Sequence, residues 1–403
     1  MGKMILLVVL GSYMVIGVLM QRNNQSANDA INNVIEYYGW ANARHIASSG
    51  ANMAVSNLFK DNTWRTGYSN VSLSNGTLDV SVFTDTSLGV RGVRVVSVGR
   101  YLGYYDTTVV ELNVAFFSKY LMYMNTDPGV YFITGDTING AMHTNDYLYV
   151  SGRPVFKGKV TMAKGPYRTS GSTNPQFWGG YEYGVNIPML SSNIDVIKAA
   201  AIAHGFYHDG ETWITMDGSS NVKIRYTSGG ADSTVPLSSL TSNGTICING
   251  DVHLKGKIDG SVTIASLIPS GSSTKGNVYI DDDIGVHDDP RTNPASSQYL
   301  GIVSQKNIVV TDNTANDHDC NITASLYATG EFNAQNYGSR GYCGYLNLYG
   351  SLAQYNRGAV GTFSGGSISS GFNKNYKYDD RLFKNAPPNF PVTDRFQILR
   401  WWE

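Results

Sequence analysis

The pattern of hydrophobic and polar positions separates the first sixty residues from the rest of the chain. Residues 4–20 are apolar and carry no charge, which is close to the shortest length that spans a bilayer. Residues 21–59 are more polar, contain no proline and repeat apolar residues every three or four positions, as a helix does. One helix over this stretch would be about 85 Å long. We therefore predict a membrane-anchor and stalk helix over residues 1–62.

Two sets of side chains give this helix its predicted roles. We expect the membrane anchor to consist of Met4, Ile5, Leu6, Leu7, Val8, Val9, Leu10, Val15, Ile16, Val18 and Leu19. We expect a face of small residues, either for assembly with another helix or for burial inside the protein, at Ala43, Ala47, Ala51, Ala54 and Leu58. An earlier stripe at the same spacing consists of Ala27, Ile31, Val34, Tyr38 and Ala41.

Other interpretations of the apolar run stay open. A cleaved secretory signal would end in a small-x-small site, and Met20-Gln21-Arg22 does not provide one. A buried core helix is rarely apolar on all its faces. Lys3 and Arg22 flank the run on opposite sides, so loop charge does not determine its orientation.

Residues 63–125 have the pattern of a small antiparallel sheet. Asn75-Gly76 is a strong hairpin turn signal, and Leu78–Val82 alternates apolar and polar residues with the period of a strand. Two further strand patterns follow at 93–98 and 109–117. We predict an antiparallel meander for this segment.

From about residue 126 to 403 the pattern becomes one of very short strands separated by glycine. Its clearest stretch, 244–264, is predicted to turn one apolar side to a core through Ile246, Ile248, Val252, Leu254, Ile258, Val262 and Ile264. Short coils that bury their apolar side only against neighbouring coils are typical of a β-solenoid, and a β-sandwich is the alternative. We predict a small α+β insertion at about 186–228. The predicted fold class is α+β, mostly β, with a long helix, a small antiparallel sheet and a β-helix body.

The start of the chain resembles PilX-type minor pilins. The resemblance rests on the apolar run that continues into an amphipathic helix and on the phrase Ala43 to Ala54, ARHIASSGANMA. It implies a subunit that is anchored in the inner membrane and then packs its helix into a type IV pilus or pseudopilus. The chain departs from the pilin pattern because Gly2 precedes Lys3 and because no acidic residue precedes Asp29.

The body resembles known proteins at the level of architecture. Its glycine-cornered strands resemble bactofilin-like and other right-handed β-helices. The stretches 135–145 and 350–363 resemble a bacterial domain of unknown function that often follows PilX-type starts. Neither resemblance implies an established activity.

Composition narrows the function classes. The 30 basic and 31 acidic residues nearly cancel, which gives no electrostatic basis for binding nucleic acid. Low charge with abundant Gly, Asn, Ser, Thr and Tyr is typical of extracytoplasmic β proteins. The three cysteines allow one disulfide in an oxidising compartment, and we expect it between Cys320 and Cys343.

The sequence offers little for catalysis or cofactors. His143 has no partner at a recognisable spacing, and we interpret it as structural. Asp251 and Asp259 are the pair that a polysaccharide-active β-helix enzyme would use. We predict no enzyme activity, no catalytic residues, no cofactor and no metal. The weak candidates for Ca²⁺ are Asp281, Asp283, Asp288, Asp312, Asp317 and Asp319, in loops that lack the spaced EF-hand pattern.

The C-terminal Trp401-Trp402 is predicted to pack as a latch on the end of the solenoid, with an exposed glycan site as the alternative. Together these patterns predict a membrane-anchored, pilin-like accessory subunit whose partners are pilin-like subunits or further copies of itself. The alternatives are an envelope protein that binds a glycan or another partner, and the polysaccharide-active enzyme. The predicted location is the bacterial cell envelope, inner-membrane anchored with an extracytoplasmic body, or a surface filament.

Overall fold

A computed structural model describes residues 2–89, 91–168, 171–364 and 367–403, apart from the side chains of residues 364 and 367. Contacts divide the chain into two compact units. The first unit contains Met1–Val114 and Arg395–Glu403, and the second contains Ala115–Asp394. The sequence predicts three domains, at residues 1–62, 63–125 and 126–403. This division stays a prediction, because the two units are defined by contacts within the chain only.

Within the described residues, the α-helices are α1 (Gly2–Lys60), α2 (Ser192–His204) and α3 (Leu237–Leu240), and short 3₁₀ turns occupy Thr86–Leu88, Phe117–Lys119, Thr314–Asn316 and Asp380–Phe383. The first strands are β1 (Tyr68–Leu73), β2 (Gly76–Thr84), β3 (Val93–Tyr101), β4 (Tyr104–Phe116), β5 (Met122–Thr126), β6 (Thr137–Ile138), β7 (Met142–Thr144), β8 (Tyr147–Val150), β9 (Val155–Phe156), β10 (Val160–Met162), β11 (Gly165–Arg168), β12 (Gln176–Phe177) and β13 (Tyr181–Tyr183).

The remaining strands follow α2. They are β14 (Phe206–Asp209), β15 (Thr212–Asp217), β16 (Asn221–Arg225), β17 (Ser233–Pro236), β18 (Thr245–Asn249), β19 (Val252–Ile258), β20 (Val262–Leu267), β21 (Val278–Val286), β22 (Leu300–Ser304), β23 (Ile308–Val310), β24 (Cys320–Ala328), β25 (Phe332–Ala334), β26 (Tyr342–Asn356), β27 (Gly361–Ser364), β28 (Ser367–Tyr378) and β29 (Val392–Trp402). The chain is thus mostly β, with one long helix and an antiparallel sheet, as predicted.

The first unit is a five-stranded sheet with α1 packed on it, in the order β1-β2-β3-β4-β29. The meander β1 to β4 is antiparallel throughout. Its first turn consists of Ser74 and Asn75, both with positive φ, and Gly76 opens β2. Two left-handed residues match the strand twist of a tight hairpin.

The C-terminal strand corrects one prediction. Trp401 and Trp402 lie in β29, at the edge of this antiparallel sheet, and not on the end of a solenoid. An unpaired edge of β4 offers backbone donors and acceptors that a returning strand satisfies. The alternation of Arg395 and Gln397 with Phe396 and Ile398 is the signal that could have identified this strand.

Glycine lets α1 approach the sheet closely. Gly99 of β3 faces the helix, and a Cβ at this position would overlap the carbonyl oxygen of Ala43 and the amide nitrogen of Ala47. The small residues of the helix and a bare strand backbone therefore meet without intervening side chains.

The second unit is dominated by one long parallel ladder. Its order is β14-β18-β20-β22-β24-β26-β5-β7-β10-β13, and every neighbouring pair is parallel. The chain therefore enters the ladder in its middle, at β5, next to β26. From β5 it runs outward to β13, and after α2 it resumes at the opposite end, at β14.

A second ladder, which we call the Val278 ladder, consists of β15-β19-β21-β23-β25. A third set of pairings joins β21, β24, β26 and β28. The inward rows of these ladders share one core, which includes all seven residues predicted to face it: Ile246, Ile248, Val252, Leu254, Ile258, Val262 and Ile264.

Helix α2 covers the outer side of the long ladder. Its Ile194, Ile197 and Ala201 form a second core cluster with ladder residues such as Cys247 and Tyr327. The segment before α2 is fixed by Tyr123, whose Oη donates to the Ile187 carbonyl at 2.6 Å. The insertion at 186–228 stays a prediction. Within that range, β14 pairs in parallel with β18, and β15 pairs in parallel with β19.

We expect the variant Gly99→Ala to lower the free energy of unfolding of the first unit by about 2 kcal/mol or more, because the methyl group must separate helix and strand backbones. Hydrogen exchange along residues 43–58 measures the effect. Gly338→Ala is the matched control, since a Cβ there meets nothing within 4 Å. Equal protection in both variants would show that the close approach at Gly99 is unimportant.

Candidate functional site

The candidate site is the part of α1 that the rest of its own unit leaves uncovered. Counted from Gly2, the first buried residue of the helix is Gly39. The preceding 2–38 stretch is about 55 Å of helix without a buried residue, and its last residue, Tyr38, contacts Tyr101 with ring centroids 6.0 Å apart. Large exposed apolar surfaces on a folded protein mark contact with another protein or with lipid.

The predicted anchor residues all lie on this stretch. Their exposed fractions range from 45% for Val9 to 79% for Met4. The helix is long and apolar enough to cross a membrane, by length and composition. This stretch therefore fits a membrane anchor.

A second exposed stripe continues past the anchor. Ile31, Val34 and Tyr38 are 57%, 67% and 58% exposed. They share one face of the helix because their spacing is three or four residues. The neighbouring Asn32 and Asn33 are exposed polar residues on another face. The stripe is thus apolar surface outside the predicted anchor.

The structure bears on which of the two expected roles, assembly or burial, the face of small residues has. Ala43, Ala47, Ala51, Ala54 and Leu58 are at most 1% exposed and pack on the sheet of their own unit. Small residues suit this role because they admit the β3 backbone at Gly99. This face is the buried side of an amphipathic helix, and it is closed to a second subunit.

The acidic residues considered for Ca²⁺ are spread over separate local contacts. Asp281 contacts His253 at 2.9 Å, Asp283 accepts from the Asn321 amide, and Asp288 accepts from Asn293. Asp312 accepts from Asn336, Asp317 lies 3.5 Å from Arg340, and Asp319 accepts from the Tyr345 amide. In the described part of the chain, no three His, Cys, Asp or Glu side chains form a group that could hold a metal.

The cysteine prediction is also corrected. Cys247, Cys320 and Cys343 are buried free thiols. The register pairs Cys320 with Leu346, three residues past Cys343. That offset is about 10 Å along a strand, which exceeds the disulfide limit of about 7 Å between Cα atoms. Burial raises the pKa of Cys247 to about 12, which makes this thiol a poor nucleophile.

The residues weighed for catalysis have structural contacts. His143 is fully buried in β7, with Thr161 Oγ1 and Asn145 Oδ1 each at 2.7 Å from its ring nitrogens. Asp251 is buried and accepts from the Asn277 amide, while Asp259 accepts from Gln298. The two carboxylates therefore serve different turns and do not form an outward-facing pair.

A groove on the outer side of the Val278 ladder was missed by sequence reasoning. We call it the Trp213 groove; its volume is about 900 Å³, and Glu211, Arg225, Tyr226, His253 and Asp281 also line it. The rings of Trp213, His253 and Tyr279 stack along the ladder with centroids 4.8 and 4.7 Å apart.

The stacking limits what the Trp213 groove can bind. His253 covers one face of the Trp213 ring, and the Arg225 guanidinium lies 5.2 Å from its centroid. A sugar ring that stacks on Trp213 must therefore displace Arg225. In the sequence, the only sign of this groove is an aromatic residue at an outward position of each of β15, β19 and β21. The pairing of these three strands, which the sequence does not reveal, brings the three rings together.

No protein-family model matches the chain, and a search of curated proteins finds no match. Among solved structures, the chain is similar to the competence-associated pilin ComZ from Thermus thermophilus. The identity is 13%, the match covers 90% of this chain and 97% of that chain, and the TM-score is 0.40.

The double variant Leu10→Arg/Val15→Arg tests the anchor. Two arginines in the middle of the apolar run add about 5–7 kcal/mol to the cost of membrane insertion. We expect the variant to leave the membrane fraction on carbonate extraction. The control Asn33→Arg/Asn52→Arg adds the same charge at exposed polar positions and stays with the membrane. Retention of the first variant in the membrane pellet would contradict an anchoring role.

Proposed function

We propose that the chain is a non-enzymatic, pilin-like structural or accessory subunit of a type IV pilus-like assembly. The observation that supports this proposal is the uncovered stretch of α1, which joins an apolar anchor to an exposed apolar stripe and then to a face buried in its own unit. The anchor can lie in the hydrocarbon of a bilayer, and the stripe can pack against a neighbouring helix.

The stripe calls for a protein partner because lipid cannot cover it. Arg22, Asn23 and Asn24 follow the anchor directly and are costly to place in hydrocarbon. Ile31, Val34 and Tyr38 therefore project beyond the bilayer core, where their apolar surface faces water unless another helix packs on it. We infer that the partner is a pilin-like subunit or another copy of this chain.

The body contributes a scaffold in this proposal. We interpret its ladders as the sides of a β-solenoid. This interpretation is supported by the parallel pairing of each ladder strand with a strand of the neighbouring coil, and by the inward apolar rows that meet in one core. A body of this size would crowd a filament shaft, which favours a tip or accessory position. The proposed location is the bacterial envelope, anchored in the inner membrane or carried on a surface filament.

A second candidate function is glycan or partner binding by an envelope protein that stays in the membrane. The Trp213 groove favours it through its aromatic and acidic lining. The Arg225 guanidinium over Trp213 opposes a stacked sugar. Fractionation separates the two candidates, because a pilus subunit is recovered with sheared filaments, whereas a stand-alone envelope protein is recovered only with membranes. A polysaccharide-active enzyme is the least supported, since the carboxylates Asp251 and Asp259 serve separate turns.

The variant Ile31→Asp/Val34→Asp tests the stripe. Both residues are exposed, so we expect unchanged membrane anchoring and thermal stability. Two buried carboxylates at a helix interface cost several kcal/mol, so we expect the protein to disappear from sheared filaments. The measurement is the amount of protein in the filament and membrane fractions.

Asn32→Asp/Asn33→Asp is the matched control for the stripe, because it adds the same charge on another face of the same turn. This control is expected to assemble as the wild type does. Normal assembly of the stripe variant, or an equal loss of the control protein from sheared filaments, would contradict the proposed packing face.

A further inference from the structure

A solvent-accessible cavity lies where the two halves of the second unit meet. Its volume is about 700 Å³, within the range of small-molecule sites. It lies between the Val278 ladder, which ends at β25, and the segment around Phe132, which pairs with Val150. In the described part of the chain no strand pairing connects these two segments, so the ladder on this side has a gap. Tyr131, Asp136, Gln354, Arg357, Lys374 and Tyr376 line the cavity.

Lys374 is a cation in a row of apolar residues. The register aligns it with Leu346 and Cys320, which are both fully buried core residues. Its ammonium lies 5.8 Å from the centroid of the Phe132 ring. Among the described residues, no carboxylate lies within ion-pair distance of it, and no side-chain hydrogen bond satisfies it. The Lys374 side chain is half-buried, and an ammonium partly removed from water without an acceptor is costly.

The neighbouring cation already has a counter-ion. Arg357 lies 3.1 Å from the buried Asp127 and donates to the Val130 carbonyl, with its guanidinium 3.8 Å from the Phe132 centroid. Its Nη2 has no hydrogen-bond partner. Asp136 accepts from the Ile133 amide at 2.8 Å. Lys374 and the spare Arg357 nitrogen therefore leave the cavity short of acceptors.

We propose that this cavity binds a small organic anion, whose oxyanion pairs with the Lys374 ammonium. The wide lining of tyrosine side chains, Tyr131 and Tyr376 among them, provides hydroxyl groups and ring surface for the rest of the ligand. A carboxylate and a phosphate offer the same acceptor chemistry to an ammonium, and the experiment separates them. The site is distinct from the helix surfaces on which the proposed function rests.

The charge state of Lys374 gives a second readout. Burial, and then the charge of Arg357, lower the pKa of Lys374 to about 8, while Asp136 and Asp127 raise it in part. The other titratable groups at the cavity are the tyrosines 131, 342, 345 and 376. A bound anion favours the ammonium form, so binding near pH 8 takes up protons. Calorimetry in two buffers of different ionisation enthalpy measures this uptake.

The test is calorimetric titration of the full chain in detergent micelles with glucuronate, glycerol 3-phosphate or uncharged glucose. We expect one of the two anions to bind with a Kd below about 1 mM and glucose not to bind. Lys374→Met should weaken binding at least about tenfold. Lys377→Met, a charge loss at an exposed position of the same strand, should change it by less than about twofold.

A labelling experiment on the wild type covers the case in which Lys374→Met fails to fold. Reductive methylation at neutral pH, followed by mass spectrometry, should modify Lys374, and the binding anion should protect Lys374 but not Lys377. Failure of both anions to bind at about 10 mM, or protection of neither lysine, would show that the cavity holds water only and would overturn the proposal. Equal binding by the wild type and Lys374→Met would overturn it as well.

Discussion

The body of this protein depends on one pairing between distant strands. Leu352–Asn356 of β26 lies parallel to Met122–Thr126 of β5, and this pairing joins the strands that precede α2 to those that follow it. The buried pair Asp127–Arg357, 230 residues apart, closes the same junction at 3.1 Å. Each side chain of the pair neutralises the buried charge of the other. Removing either one would leave an unpaired buried charge and lower the free energy of unfolding by about 3–5 kcal/mol.

This junction determines where the special features of the body lie. Because the chain enters the long ladder in its middle, the segment from β13 to β14 must return along the outer side, and α2 fills that path on Cys247 and Tyr327. The gap in the Val278 ladder opens beside the same junction, and Lys374 lines it. The helix α1 belongs to the other unit and keeps its stretch 2–38 uncovered. The proposed function thus assigns anchoring and scaffolding to different units.

Local patterns in the sequence were enough to predict the local structure. The helical period through Leu58 and the alternation of Ile246 to Ile264 each indicate which side chains are buried, and the apolar run indicates an uninterrupted helix. Long-range pairing is not encoded in such patterns. The partner of Met122, the place of Trp402 in the antiparallel sheet and the stack of Trp213 on His253 all depend on strands far apart in sequence. Ala43 to Leu58 was predicted as a face of small residues for assembly or burial, and only the structure shows that its own sheet covers it.

A pair of introduced thiols across the junction tests its central pairing most directly. The register that pairs Gln354 with Met124 and Asn356 with Thr126 places Tyr355 beside Asn125. Mild oxidation of Asn125→Cys/Tyr355→Cys should give a disulfide-linked peptide pair in nearly all folded molecules, because adjacent parallel strands lie about 4.8 Å apart. The control Asn125→Cys/Asn333→Cys should stay reduced. A folded Asn125→Cys/Tyr355→Cys variant whose two introduced thiols remain unlinked would contradict the mid-ladder entry of the chain.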